Sequence, residues 1–253
     1  MSIVIDDVTH APARVITIAN ARRGNALTKP MLRALAAAFR DVPSDVRGII
    51  LRGDSSASAS FCAGIDLASA AEVFATPEDA LDDDPVHHIE RCALPVIAAC
   101  HGAAINAGFE LALSCDVVVA TNDATFVDTH AAIGIVPSWG LSVKLSRVIG
   151  ANAARAVSVF GEPLTSARAR ELGFATERAC EDAAEATTEA ARLMRRVFAM
   201  PAGGAAAIKR ASHDGLAIDG VRAEERRRAF AQYREEAGMK FKAFREARAR
   251  SKM

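Results

Sequence analysis

The chain has 253 residues, balances 31 lysines and arginines against 31 aspartates and glutamates, and is 51% hydrophobic but 5% aromatic. The apolar fraction suffices for a buried core and excludes disordered and collagen-like chains, while roughly 100 to 200 residues per domain allows one large domain or two small ones. A formal net charge of zero removes the long-range field of a dedicated nucleic-acid or polyanion binder, so partners must be recognised by a local site.

From the N-terminus, Met1 to Asp7 places acids where a secretory leader needs a cationic start and an apolar core. Val15 to Ile18 and Val46 to Leu51 read as short β-branched strands. Between them Met31, Leu32, Leu35 and Phe39 recur on one helical face, with Thr28 as cap and Pro30 in the first turn. The acidic stretch Glu78, Asp79, Asp82, Asp83 and Asp84 precedes a helical segment holding His87, His88 and Glu90. Adjacent histidines project in different directions from a helix, which argues against a shared metal. Val96 to Cys100 is an apolar strand, Asn106 to Leu113 a short helix, and Asp116 to Ala120 a strand made mostly of valine. Strand, helix, strand at this spacing implies βαβ units with right-handed crossovers and a largely parallel sheet. Trp139, just after Pro137, reads as packing at a loop-to-helix junction.

Beyond Gly150 the pattern is nearly all helical: Ala183 to Phe198, Ala205 to His213, Val221 to Glu236 and Lys240 to Arg250, separated by Pro201, Gly215 and Gly238. Each carries one apolar face that must cover a neighbour, and Tyr233 is assigned to an interface. Basic residues load this end (Arg226, Arg227, Arg228, Lys240, Lys242, Arg245, Arg248 and Arg250), either as solvated faces or as a hold on a phosphorylated cofactor. No run approaches the roughly 20 apolar residues of a membrane helix. Cys62, Cys92, Cys100, Cys115 and Cys180 are odd in number and scattered, which supports neither a disulfide framework nor a zinc knuckle and points to a reducing cytoplasm.

Two stretches combine small residues with few charges just after strands, where a backbone can approach a ligand: Phe61 to Leu67, and His101 to Leu111. First-turn N–H groups of a helix lack an intrahelical partner and lie at its positive end, so they can hold an oxyanion. With Ala107 in the first turn, Glu110 follows one turn later on the same face. Spacing alone leaves two readings, a carboxyl beside an anion site or a packing turn followed by a solvent-facing glutamate.

Phe61 to Leu67, the Pro95-Val96-Ile97-Ala98-Ala99 strand with Gly102, Gly108-Phe109-Glu110-Leu111-Ala112, Cys115-Asp116, and Gly134-Ile135-Val136-Pro137 with Gly140 together resemble the crotonase superfamily, the enoyl-CoA hydratase/isomerase family. Arg22-Arg23-Gly24-Asn25-Ala26-Leu27 is similar to that family's Asn-Ala-Leu element, and the resemblance covers essentially the whole chain. It implies an α/β fold, a crotonase-like ββα spiral core that binds acyl-CoA over residues 1–195, then a C-terminal α-helical trimerisation region over 196–253. It further implies a homotrimer or dimer of trimers and an acyl-CoA substrate whose CoA is part of the substrate. No separate cofactor, metal, nucleic acid or membrane partner is expected. The family's two oxyanion-hole amides map to Ala63 and Ala107, where fixed donors stabilise an enolate oxygen more than the ground-state carbonyl. Gly64, Ile65, Asp66 and Gly108 are implied substrate contacts, with Arg22 and Arg23 beside the CoA phosphates.

Hydratases of the family use two glutamates, and Glu110 matches the first. The second usually sits in a Pro-Glu pair four residues before the glycine of the Gly-x-x-Pro element, and Thr129-His130 stands there instead. Histidine, with an ordinary pKa of about 6.5, is competent for acid-base work near neutrality. Asp128 is placed to orient it, although two residues apart on a strand share a face without necessarily touching; the other reading is that His130 fills the pocket. Asn106-Ala107 replaces the Gly-Gly of many relatives, narrowing the pocket but leaving the amide available. The reading is a lyase that adds water to a 2-enoyl-CoA through a stabilised enolate, with Glu110 as base and His130 assisting. Alternatives are a double-bond isomerase, a hydrolase or decarboxylase, and a non-catalytic acyl-CoA-binding relative. The variable segment Ala68 to Glu90 is expected to shape the acyl pocket. Neither a Gly-x-Ser-x-Gly elbow nor a Walker loop nor His-Glu-x-x-His occurs.

Overall fold

The β-branched runs build two sheets. In the computed structural model, which describes residues 1–7, 12–75, 81–216 and 218–250, β1 (Ser2–Asp7), β2 (Ala13–Ala19), β3 (Gly48–Gly53), β5 (Val96–Cys100) and β7 (Val117–Ala120) form one sheet in the order β1-β2-β3-β5-β7. Its pairings are parallel except for β1 against β2. β4 (Ser60–Cys62), β6 (Ala103–Ile105), β8 (Thr125–Val127) and β9 (Leu164–Thr165) form the second, in the order β4-β6-β8-β9, with β9 antiparallel. The spacing predicts one largely parallel sheet; the second escapes notice because three-residue strands are too short to show an alternation. Glu78 and Asp79 of the acidic stretch lie outside the described residues.

The chain winds by laying one strand in the first sheet, one in the second, then a helix. α1 (Lys29–Arg40) precedes β3, α2 (Ala70–Phe74) and α3 (Pro85–Arg91) lie between β4 and β5, and α4 (Ala107–Ser114) separates β6 from β7. α5 (His130–Ile133), α6 (Leu141–Ile149) and α7 (Ala151–Phe160) follow β8, and α8 (Ser166–Glu171) follows β9. α9 (Ala183–Phe198), α10 (Gly204–Leu216) and α11 (Asp219–Arg250) complete the chain.

Alternation along the strands splits their side chains between two cores. Ile49, Leu51, Val96, Ala98, Val118 and Ala120 join the core under α1, α3 and α4. Ile50, Ile97, Ala99 and Val119 face Ala186, Ala190 and Met194 of α9. Burial on both faces is why these strands read as unbroken apolar runs. Met31, Leu32, Leu35 and Phe39 are all buried on α1, as their periodicity predicts.

The C-terminal pattern needs one correction. Gly238 reads as a break between two helices, but α11 is a single helix of 32 residues that runs through it. A glycine inside a helix costs about 1 kcal/mol. Phe241, buried against Ile133, Ile135 and Phe230, offsets that, since a fully buried large apolar side chain is worth about 1.5 to 3 kcal/mol.

Candidate active site

A cavity of about 350 Å³ lies where α4, α5 and the turn before α6 meet α11. Ile65, Leu67, Ile105, Ile133, Ile135 and Trp139 give it apolar walls, and Phe230, Tyr233, Phe241 and Phe244 close it from the C-terminal helix. The cavity's titratable lining is Glu110, His130 and Tyr233. Strand register brings the first two together. β6 and β8 pair in parallel with Ile105 opposite Val127, and each chain turns into a helix within three residues.

Glu110 sits in the first turn of α4 and is 2% exposed, so the solvent-facing alternative is excluded. Its Oε1 accepts hydrogen bonds from the backbone N–H of Trp139 at 2.9 Å and of Leu141 at 3.4 Å. Gly140 between them has φ +97°, which lets the turn curl both amides onto one oxygen. Among the described residues nothing donates to Oε2. Burial pushes the carboxyl up to about 7; the nearby His130 opposes the shift and Glu225 adds to it.

His130 opens α5 instead of lying on a strand, and this change brings Asp128 into contact. One Asp128 oxygen, Oδ1, accepts from the His130 backbone N–H at 2.9 Å and from its ring Nδ1 at 2.7 Å. Both residues are buried. With Nδ1 committed as donor, Nε2 is the ring atom left for the cavity. Burial disfavours the imidazolium, but the Asp128 bond and the charge of Glu110 outweigh it and hold the pKa above the ordinary histidine value.

The amide donors require a correction. The Ala63 N–H is already donated to the Gly24 carbonyl at 2.9 Å, so Ala63 lines the cavity without supplying a donor. Leu27 bonds the residues on either side of Ile65, donating to the Gly64 carbonyl and accepting from the Asp66 N–H, both at 2.8 Å. In such a parallel bridge the N–H of the middle residue, Ile65, points away from Leu27. Among the described residues neither the Ile65 nor the Ala107 amide has a partner. A Cβ on Gly64, at φ +91°, would stand 2.9 Å from the Ile105 oxygen and 3.8 Å from the Ala107 nitrogen, so these segments touch through that glycine.

Gly108 is also reassigned, from substrate contact to packing. It does not line the cavity, and a Cβ there would lie 2.2 Å from the Cys62 carbonyl oxygen. Gly108→Ala is therefore expected to cost about 1 to 3 kcal/mol of stability in a urea titration, because backbone rather than a flexible side chain must yield. Asp66 accepts Arg23 Nη1 at 3.0 and 3.1 Å, neither residue lines the cavity, and Arg22 is exposed near the pair in sequence. Tyr233, read as an interface residue, instead lines the cavity of its own chain and donates to the Val136 carbonyl at 2.6 Å. Trp139 packs as expected, yet its backbone N–H holds the carboxyl, a role no side-chain reading reveals. Cys62 lies beside these segments, but burial lifts its thiol to about 12, too high for a nucleophile. Among the described residues no cluster of His, Cys, Asp and Glu could hold a metal ion.

Behind Glu110, buried charges tie α11 to the core. Lys144 donates to Glu90 at 2.7 Å and to Ser114 Oγ at 2.6 Å, and Arg222 pairs with Glu90. Arg226 reaches Asp84 at 2.6 Å, and Glu225 accepts the Ser142 N–H at 2.9 Å. These contacts fix the helix that carries the aromatic wall.

Known proteins share this arrangement of chain. The profile for Enoyl-CoA hydratase/isomerase matches residues 10–250. A probable peroxisomal enoyl-CoA hydratase of Arabidopsis thaliana is 44% identical over 235 residues, covering 91% of this chain and 86% of the relative. A probable enoyl-CoA hydratase of Rhodobacter capsulatus is 34% identical over 80% of this chain and 78% of its own. The crystal structure of an enoyl-CoA hydratase from Mycobacterium smegmatis matches with a TM-score of 0.76 at 30% identity, over 91% of this chain and 97% of that one. OdaA of Pseudomonas aeruginosa matches with 0.86 at 24% identity, over 96% and 98% of the two chains, which speaks for the fold alone. The two-sheet spiral, the family profile across nearly the full length and these relatives agree: the chain belongs to the enoyl-CoA hydratase/isomerase family of the crotonase superfamily.

Proposed function

We propose that the protein adds water to 2-enoyl-CoA thioesters, giving 3-hydroxyacyl-CoA. The observation that carries this reading is the meeting, in one apolar cavity, of two unclaimed amides with a desolvated carboxyl and an aspartate-held imidazole. The thioester oxygen accepts from the Ile65 and Ala107 N–H groups, Ile65 taking the place first assigned to Ala63. One such donor is worth about 3 kcal/mol of transition-state stabilisation in other enzymes. Water sits between Glu110 and His130. Glu110 takes its proton as the oxygen bonds to the β-carbon, and the displaced π electrons move onto the thioester oxygen. The enolate then collapses, and its α-carbon takes a proton from the His130 imidazolium. Transfer of the proton held by Glu110 to His130 restores the starting state.

A double-bond isomerase would need one carboxylate, so the Asp128-held His130 favours hydration. Incubation with 2-enoyl-CoA esters of graded chain length tests this by mass spectrometry. Gain of one water is the expected result, and unchanged mass with a moved double bond would replace hydration with isomerisation. The rate should rise as Glu110 ionises near pH 7 and fall as His130, held above its ordinary value, loses its proton, giving a bell-shaped profile.

Assembly as a homotrimer through residues 196–253 is supported by the exposed apolar residues Met200, Ile208 and Val221 in that region, and light scattering tests it. No helix among the described residues is long and apolar enough to cross a membrane. Free cysteines support a cytoplasmic site, against which the peroxisomal label of the Arabidopsis relative is set; a fluorescent fusion distinguishes them.

A further inference from the structure

Asn106 has φ +47° and ψ −108°, a backbone conformation that glycine enters freely and other residues rarely adopt. An asparagine just before a helix ordinarily turns its side chain onto that helix's own first-turn N–H groups. Asn106 makes no such bond. Its Nδ2 donates to Thr129 Oγ1 at 2.8 Å, and its Oδ1 accepts the Thr129 backbone N–H at 2.7 Å. Thr129 in turn precedes α5 and makes no side-chain bond to its own helix. The residues that open α4 and α5 are therefore stapled to each other, at the end of the β6–β8 ladder, where the Asn106 N–H donates to the Val127 carbonyl at 3.0 Å. The staple keeps the Asn106 side chain off the first turn of α4, whose Ala107 N–H stays unclaimed. It also grips the residue next to His130.

We propose that Asn106 is a positioning residue whose clamp on Thr129 holds the Ala107 amide toward the cavity and fixes it relative to His130. The proposal rests on the acyl-CoA reading above, but not on hydration itself, since a clamped amide would polarise a thioester whatever reaction follows.

The test measures crotonyl-CoA hydration together with the absorbance of bound dimethylaminocinnamoyl-CoA, whose band moves to longer wavelength when its carbonyl oxygen is polarised. N106A keeps the strained backbone without the clamp. It should lower kcat on the order of 10²-fold, leave KM within roughly threefold, and lose the red shift. T129V should lower kcat by about tenfold or more with a weakened shift, and T129S, which keeps the hydroxyl, should recover both. N106G relieves the strain and should lose less than N106A. Should N106A fail to fold, T129V and T129S carry the measurement. A wild-type kcat and red shift in N106A, or in T129V where that variant stands in for it, overturns the proposal. A wild type that shifts the probe but hydrates nothing, with the shift lost in N106A or T129V, overturns the hydratase reading and upholds the clamp. A wild type that binds the probe without any shift overturns the clamp proposal and the oxyanion assignment together.

Discussion

Glu110→Gln should lower kcat for hydration by about 10² to 10⁴-fold while KM for the thioester changes only a few-fold, because it removes the base and leaves the cavity in place. The amide oxygen of glutamine can still accept the Trp139 N–H that holds Oε1 in the native protein. The same variant should be more stable than wild type in alkali. Burial raises this carboxyl from 4.5 to about 7. A group raised on folding favours the fold while protonated; its contribution is complete below about pH 4.5 and is lost as pH rises through about 7. Glutamine never ionises, so the variant should exceed wild type by about 3 kcal/mol near pH 8 and match it near pH 4. Urea titrations at the two pH values measure this. Equal stability at both would mean that the fold does not desolvate Glu110 as described.

Asp128→Asn should lower kcat by about 10² to 10⁴-fold, the range set by loss of a correctly oriented acid-base group. Asparagine can offer an N–H to Nδ1 where the carboxylate oxygen accepts from it, which favours the neutral ring over the imidazolium that donates to the α-carbon. Without the carboxylate, the His130 pKa falls, so the alkaline limb of the rate profile should move to lower pH. His130→Gln separates orientation from filling, since it keeps much of the volume. Wild-type turnover in that variant would reduce His130 to a wall of the pocket.

Spacing alone put Glu110 one turn past Ala107 but left open whether its carboxyl faces an anion site or solvent; its 2% exposure decides for the interior, and Ala107 as a donor is what the family resemblance implies. The other amide donor proposed above was not legible at all. Ala63 and Ile65 belong to the same motif in sequence, and only the bond from the Ala63 N–H to the Gly24 carbonyl, with the bridge from Leu27, decides which N–H is left to turn inward. Asp128 and His130 looked like strand neighbours until the helix began at His130 itself. Phe230, Phe241 and Phe244 read as ordinary helix periodicity, and Tyr233 as an interface residue. Nothing local says that their apolar face covers a cavity whose Glu110 and His130 lie about a hundred residues earlier. Gly238 shows the converse error, a local helix breaker overridden by packing on either side of it.

That aromatic wall has a consequence for how the enzyme is made. At roughly 5 to 20 residues per second, a ribosome completes Glu110 and His130 on the order of ten seconds before it finishes the wall. Until α11 docks, the cleft lacks its aromatic side and is open to other chains. The lining of the cavity is thus completed only with the last stretch of synthesis: a transcript cut short before Phe230 encodes Glu110 and His130 but none of the four aromatic residues of α11 that wall them in.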